Sequence, residues 1–216
     1  MAAPRDRIFG IGLNKTGTRS LAVALRSLGF RTLHKGDVAT SELVDRAAAE
    51  RKPLLTHIGD QYDAYLDVDG IVCRFVDLDS QYPGSKFILT TADETAWLKS
   101  REDHVLANQK RAERGEYDGA WLDVDVHGWR AERENHHAAV LEHFAGRPGA
   151  FLVLDIRGGH GWAELAPFVG CEVPRKDFPW ENRKGVGTYR GEAYVRTVRR
   201  RADYLIGRVR RGTTRN

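Results

Sequence analysis

The chain has 216 residues, of which 41% are hydrophobic and 30% are charged. This length and composition suit one soluble domain with a sizeable core, so we expect a single domain over residues 1–216. No run approaches the roughly eighteen apolar residues of a membrane-spanning helix, and residues 1–7 lack the apolar segment of a secretion signal, which predicts a cytoplasmic protein. The two cysteines, Cys73 and Cys171, fit neither a disulfide framework nor a zinc site.

Positive charge is concentrated near the carboxyl terminus. Residues 183–215 include eleven basic and two acidic residues, although the whole chain has a formal net charge of only +4. Apolar residues at helical spacing, with arginines on the other faces, predict a basic amphipathic helix over residues 192–211. This helix either packs its apolar stripe on the domain or contacts a membrane surface, and we expect no specific nucleic-acid partner.

The amino-terminal part of the chain predicts a strand, a loop and a helix. Residues 8–11 form a short apolar run that is typical of a buried parallel strand. Residues 12–20, called the glycine loop below, are mostly small and polar and include one lysine. Apolar residues at helical spacing then predict a helix, and Gly29 stands where the end of that helix is expected.

The glycine loop has the features of a phosphate-binding site. Glycines allow backbone N–H groups to converge on an anion, the following helix adds the positive end of its dipole, and Lys15 supplies a mobile charge. The pattern for magnesium nucleotides places the lysine directly after the last glycine and a Ser or Thr directly after the lysine. Here Lys15 precedes Gly17 by two positions, and Thr18 and Arg19 follow that glycine, which counts against ordinary ATP or GTP chemistry. The alternative is a turn that merely joins a strand to a helix.

The rest of the chain alternates between short apolar runs and longer helical patterns. We predict strands over residues 53–58, 86–91 and 151–156, and helices over residues 38–51, 73–81, 97–114 and 129–145, with a last helix from Trp162. Carboxylates and a histidine in the loop over residues 115–128 could suggest a metal site, but their spacing alone does not show the convergence that such a site needs, so we expect no metal. The whole pattern predicts a three-layer α/β domain, with a parallel sheet of four to five strands flanked by helices.

Three segments resemble the sulfotransferase superfamily. GLNKTGTRSL, residues 12–21, looks like the 5′-phosphosulfate loop of that family, and YPGSKFILTTADETAWLKSR, residues 82–101, is similar to its second segment. LVLDIRGGHGWAELAPFVG, residues 152–170, is similar to a late strand-helix segment of the bacterial branch. The resemblance implies a P-loop-like fold. It also implies transfer of a sulfuryl group from 3′-phosphoadenosine 5′-phosphosulfate (PAPS) to a hydroxyl or amine of a small-molecule or carbohydrate acceptor, without a metal.

The resemblance also assigns donor-binding residues. In the glycine loop they are Asn14, Lys15, Thr16, Gly17, Thr18, Arg19 and Ser20. Ser100 matches a serine that holds the 3′-phosphate, but Ala92 stands where the family has an arginine, which removes a bidentate phosphate contact. Arg183, Lys184 and Gly185 resemble a late arginine-lysine-glycine motif that holds the same phosphate. The alternative for these last residues is a solvated basic loop.

A sulfotransferase also needs a base that removes the acceptor proton. The resemblance implies a histidine or carboxylate on or just beyond an early strand, so we expect His57 or Asp60, at the end of the predicted strand over residues 53–58, to act together with Lys15 in catalysis. The alternative is that His57 caps a strand and Asp60 caps a helix.

Sulfuryl transfer is the favoured function, and two alternatives remain open. The first is a non-catalytic or altered-donor relative that binds a nucleotide or a phosphorylated ligand, which the alanine at position 92 keeps possible. The second is a P-loop kinase, for which dependence on magnesium would be evidence.

Overall fold

Five parallel strands form one sheet in this protein, whose computed structural model describes residues 6–36 and 38–181. The strands are β1 Ile8–Gly10, β2 Thr32–His34, β3 Ala64–Leu66, β4 Lys86–Thr90 and β5 Phe151–Leu154. Their spatial order is β2-β3-β1-β4-β5, and every pairing is parallel. All five carboxyl ends therefore lie at one edge of the sheet, called the carboxyl edge below.

Helices cover both faces of the sheet. They are α1 Thr18–Ser27, α2 Val38–Ala49, α3 Phe75–Gln81, α4 Glu94–Glu113, α5 Val126–His143 and α6 Trp162–Phe168. Ile8 and Ile88 pack with residues of α1 and α6, whereas Phe9 and Phe87 pack with residues of α2, α3 and α5. Since successive strand residues point to opposite faces, burial on both sides explains why the strands are short apolar runs. The predicted three-layer α/β architecture is confirmed.

Local sequence signals account for several helix ends. Gly29 has a φ of 84° just after α1, where the Phe30 N–H donates to the Leu25 carbonyl at 3.0 Å, as expected for a left-handed helix end. Asp93 precedes α4 and accepts from the Ala96 N–H at 3.0 Å. Asp125 caps α5 in the same way by accepting from the Gly128 N–H.

The predicted strand over residues 53–58 is wrong. These residues form a turn, in which the Thr56 and Ile58 N–H groups donate to the carbonyls of Pro53 and Leu55. The Leu55 N–H is bonded by the Tyr82 hydroxyl at 2.9 Å instead of by a neighbouring strand. Leu54 and Leu55 thus fill the core beside the sheet, and the strand is instead the three-residue run of β3, where the sequence analysis predicts none.

Two further sequence-based predictions lie outside the described residues: the basic helix over residues 192–211 and the phosphate-binding motif Arg183, Lys184 and Gly185. Among the helices that the structure describes, none is long and apolar enough to cross a membrane.

Candidate functional site

The glycine loop lies at the carboxyl edge and needs its glycines for two different reasons. A Cβ atom on Gly12 would stand 2.0 Å from the Oγ1 atom of Thr90, so only glycine lets the chain pass β4. Gly17 has a φ of 102°, a conformation that side chains disfavour, and a Cβ atom there would stand 3.2 Å from Ile156. Lys15 also has a positive φ, 67°. The loop is therefore a tightly wound cradle between β1 and α1.

Contacts from β4 and α4 hold this cradle from behind. The buried Thr16 hydroxyl donates to the Leu13 carbonyl at 2.5 Å and lies 2.7 Å from the Thr90 hydroxyl, which donates to it. The Trp97 indole N–H donates to the Asn14 carbonyl at 2.9 Å. These bonds use side chains and carbonyl groups, so they fix the loop without occupying the N–H groups of its helical end.

The start of α1 leaves backbone donors for an anion. The first N–H groups of a helix have no intrahelical partner, and Gly17, as the N-cap, provides no side-chain cap. The first turn contains no acidic residue. Together with the helix dipole and the half-buried Lys15, these N–H groups are suited to bind a phosphate or sulfate group.

The last described residues return to this site. The backbone N–H of Glu181 donates to the Ser20 hydroxyl at 3.0 Å, and the Glu181 carboxylate lies 3.8 Å from the Arg19 guanidinium. The predicted donor-binding side chains Ser20 and Thr16 thus have protein partners. Glu181 also brings the chain beside α1 two residues before Arg183.

Two residues that the sequence-based prediction missed lie beside the glycine loop. His34 ends β2 and Asp67 directly follows β3. The His34 Nε2 atom lies 3.4 Å from the Thr18 hydroxyl and 3.8 Å from the Asp67 carboxylate. This cluster joins the first turn of α1 to the carboxyl ends of two strands.

The protonation of this cluster follows from its burial. Burial raises the pKa of Asp67, and Asp69 adds to the rise, while His34, Lys35 and Lys15 act in the opposite direction. Burial lowers the pKa of His34, and the charge of Asp67 acts in the opposite direction. A carboxylate with a raised pKa, beside a lysine at an anion site, has the properties of a general base.

The two residues predicted as bases lie elsewhere. Asp60 forms an ion pair with Arg7 at 2.6 Å, and Arg7 directly precedes β1, so Asp60 stands at the amino edge of the sheet, opposite the glycine loop. His57 lies 2.9 Å from the carboxylate of Glu50, just past the end of α2. The partners of Asp60 and His57 are thus Arg7 and Glu50, and the segment over residues 53–58, which carries His57, is a turn and not a strand.

The region of the expected 3′-phosphate arginine is occupied by apolar packing. Ala92 is fully buried with Leu13 and Trp97, and its carbonyl accepts from the guanidinium of Arg133 at 2.7 Å. Ser100 lies half-buried on α4. Its neighbour Lys99 is exposed and paired with Glu102 and Asp103. Arg101, also near in sequence, is buried and forms an ion pair with Glu132. Lys99 and Arg101 therefore have structural roles here.

A metal centre is not evident in the part of the chain that the structure describes, where no group of three or more His, Cys, Asp or Glu side chains is placed to hold an ion. The anion site has no carboxylate in the first turn of α1 that would serve as a metal ligand.

Comparison with known proteins agrees with this geometry. The model of the family described as sulfotransferase domain matches residues 7–186. A curated relative, Ava biosynthesis cluster protein M of Aspergillus versicolor, is 33% identical, and the match covers 80% of this chain and 79% of the relative.

Proposed function

Because this chain belongs to the sulfotransferase family, we propose that it transfers a sulfuryl group from PAPS to a hydroxyl or amine acceptor at the carboxyl edge. The observation that carries the proposal is the juxtaposition of the glycine loop with Asp67. An anion cradle with a lysine and a base with a raised pKa are the two groups that sulfuryl transfer requires.

The glycine loop fits the 5′-phosphosulfate end of such a donor. The cradle is shaped by the absence of Cβ atoms at Gly12 and Gly17, and the N–H groups at the start of α1 are suited to the oxygens of an anion of the phosphate or sulfate class. When bound, PAPS supplies an activated sulfuryl group whose transfer leaves a phosphate oxygen with an added negative charge. Lys15 and the N–H groups at the start of α1 stabilise this charge.

Asp67 is the proposed base. In the reaction, the acceptor O–H or N–H bond breaks and its proton passes to the Asp67 carboxylate. The acceptor atom forms a bond to sulfur while the bond between sulfur and the 5′-phosphate oxygen breaks. His34 holds the carboxylate and the Thr18 hydroxyl in one cluster, so it is a positioning residue.

The 3′-phosphate is assigned to Ser100, Arg183, Lys184 and Gly185. The anchor of Glu181 on Ser20 supports this, because the motif follows that anchor by two residues in sequence. Ala92 replaces an arginine that would bind the 3′-phosphate. Arg183, Lys184 and Gly185 therefore supply a larger share of the affinity for the 3′-phosphate than they would if that arginine were present.

The test offers the protein PAPS together with a panel of phenols, alcohols, sugars and amines as acceptors. Chromatography measures how much adenosine 3′,5′-bisphosphate and how much sulfated acceptor are formed. We expect one acceptor class to give product and bisphosphate in equal amounts, with no loss of rate in EDTA. Lys15→Ala should lower the rate at least about 100-fold while the protein stays folded. Near wild-type turnover of this variant would exclude the role of Lys15. Consumption of ATP in a magnesium-dependent manner would indicate a kinase, and donor binding without turnover would indicate a non-catalytic relative.

A further inference from the structure

The segment over residues 192–211, which lies outside the described residues, has a regular apolar pattern in its sequence. At about 3.6 residues per turn, successive residues of a helix stand about 100° apart. Seven apolar residues of the segment then fall within about 120° of the helix circumference, with no charged residue among them. These seven, called the apolar stripe below, are Tyr194, Val195, Val198, Ala202, Leu205, Ile206 and Val209.

The rest of the circumference, called the basic face below, is rich in arginine. Its seven arginines are Arg196, Arg199, Arg200, Arg201, Arg208, Arg210 and Arg211, and the segment has two acidic residues, Glu192 and Asp203. At the same spacing, Arg199 and Arg201 flank the apolar stripe on its two sides. Arginine can lay its aliphatic stem along an apolar surface while its guanidinium reaches a polar one. So many charges are incompatible with a helix that spans a bilayer but typical of one that lies on its surface.

The helices that pack on the domain have a different charge pattern. The longest of the described helices, α4, balances four basic against four acidic residues. The six described helices supply the apolar residues that cover both faces of the sheet. Packing on this domain thus requires no excess of arginine. The basic face instead complements a surface of negative charge.

The chain approaches the segment through residues 171–181, called the strap below, which are fixed at two points. The Phe178 ring packs on the Trp162 ring of α6, with ring centroids 4.9 Å apart. The Glu181 N–H donates to the Ser20 hydroxyl of α1 at 3.0 Å. These contacts hold the strap beside α1 and α6.

An aromatic side chain points outwards between these two fixed points. Trp180 is 44% exposed. Tryptophan favours the boundary between the apolar and aqueous regions of a membrane, because its ring is apolar and its N–H group is polar. Residues 182–191 separate the strap from the segment, and ten residues span at most about 35 Å. Trp180 and the apolar stripe are therefore within reach of the same surface.

We propose that residues 192–211, together with Trp180, bind the surface of a bilayer that contains anionic lipids. The apolar stripe enters the boundary between headgroups and acyl chains, and the arginines contact the negative headgroups. Binding to nucleic acid would use the basic face without the apolar stripe. Packing on the domain would use the apolar stripe without the basic face. An anionic membrane surface uses both.

Cosedimentation of the full chain with lipid vesicles tests the proposal. One vesicle type is phosphatidylcholine alone, and the other also contains about 30% phosphatidylserine. We expect binding to the anionic vesicles at least about tenfold tighter than to the neutral ones, and loss of this preference at high salt. The triple variant Arg199→Gln, Arg200→Gln, Arg201→Gln should lose most of the preference, and Trp180→Ala should bind the anionic vesicles more weakly. Equal binding of wild type to the two vesicle types, or binding to neither, would overturn the proposal.

The apolar stripe is tested with two double variants of equal charge. Leu205→Glu with Ile206→Glu places two carboxylates in the apolar stripe, whereas Thr197→Glu with Tyr204→Glu places two on the basic face. We expect the first pair to abolish binding to the anionic vesicles and the second pair to retain most of it, because only the first prevents insertion of the stripe. Equal loss in both pairs would show that charge alone is recognised, as by a nucleic acid, and would contradict the proposal.

Packing of the segment on the domain gives a different result. In that case Leu205→Glu with Ile206→Glu would unfold at a lower urea concentration than wild type, whereas we expect an unchanged midpoint in the absence of vesicles. The comparison of the two vesicle types with wild type needs no variant, so it decides the matter even where a variant does not fold. Neither PAPS nor an acceptor is present, and the result is therefore independent of the proposed sulfuryl transfer.

Discussion

The Nε2 atom of His34 lies 3.8 Å from the carboxylate of Asp67 and thereby couples the ends of β2 and β3. The same nitrogen lies 3.4 Å from the hydroxyl of Thr18, in the first turn of α1. Because that turn forms the proposed anion site, a single histidine links the proposed base to the part of the chain that is proposed to hold the donor. This arrangement results from the strand order, which places β3 between β2 and β1.

Asp67→Asn should remove the base and keep the fold. We expect kcat/KM to fall about 10²–10⁴-fold, the usual contribution of general base catalysis. In wild type, the acid limb of the pH–kcat/KM profile should lie above the ordinary pKa of an aspartate, since burial raises the pKa of Asp67, and the limb should vanish in the variant. Because the pKa of Asp67 is raised in the folded protein, ionisation of this carboxylate destabilises the folded state as the pH rises through that pKa. Asp67→Asn cannot ionise, so it should be no less stable than wild type at pH 7.5. A wild-type profile in Asp67→Asn would assign the base elsewhere.

Gly17→Ala should weaken donor binding through the shape of the cradle alone. The substitution places a Cβ atom 3.2 Å from Ile156 at a φ of 102°, at a conformational cost of about 1–2 kcal/mol. Gly146→Ala is the matched control, because its φ is 76° but nothing lies within 4 Å of its Cβ position. Both variants should unfold at lower urea concentration than wild type, whereas only Gly17→Ala should lose affinity for adenosine 3′,5′-bisphosphate. An equal effect of both on that affinity would contradict the cradle.

The double variant Arg183→Ala, Lys184→Ala tests the assignment of the 3′-phosphate. We expect its affinity for adenosine 3′,5′-bisphosphate to fall to that for adenosine 5′-monophosphate, while the affinity for the monophosphate stays unchanged, because only the 3′-phosphate contacts are removed. Arg175→Ala, Lys176→Ala removes an exposed basic pair nearby and serves as the control. If both double variants weaken binding of the two nucleotides alike, the effect is general electrostatics and the motif has no specific role.

His137 should make the protein sensitive to mild acid. Burial lowers the pKa of His137 to about 3, whereas in the unfolded chain it takes up a proton below about pH 6.5. The free energy of unfolding therefore decreases as the pH falls below the pKa that histidine has in the unfolded chain, by about 2 kcal/mol between pH 7.5 and pH 5. Between these two pH values, the free energy of unfolding of His137→Gln should decrease less than that of wild type, by the contribution of His137. Urea titration at both pH values measures this difference. His127→Gln, at an exposed position on the same helix, should behave like wild type, and an identical pH dependence of all three proteins would refute the account.

Much of the fold could be predicted because its signals are local. Three predictions that depend on a few neighbouring residues are confirmed: the strand before the glycine loop, the end of α1 at Gly29, and the strand β4. The turn over residues 53–58 was mistaken for a strand because its leucines face the core from outside the sheet. The N–H groups of Leu54 and Leu55 donate to the side chains of Gln81 and Tyr82, contacts that the sequence does not reveal.

The site was predictable only where it is continuous in sequence. Lys15 and its neighbours form one loop, but His34 and Asp67 meet through strand order, which local patterns do not encode. A signal existed in the chain: Asp67 directly follows the short apolar run of β3, and carboxylates at the end of a parallel strand face the site in α/β folds. The packing of Arg101 likewise joins three tryptophans, Trp97, Trp121 and Trp129, that are 8 to 32 residues apart in sequence.

The central claim is that this chain holds a donor with a 3′-phosphate. Calorimetric titration of the full chain with adenosine 3′,5′-bisphosphate and with adenosine 5′-monophosphate, both without magnesium, tests it most directly. We predict micromolar binding of the bisphosphate, at least about tenfold tighter than that of the monophosphate. Equal affinities, or no binding of either nucleotide, would contradict the claim.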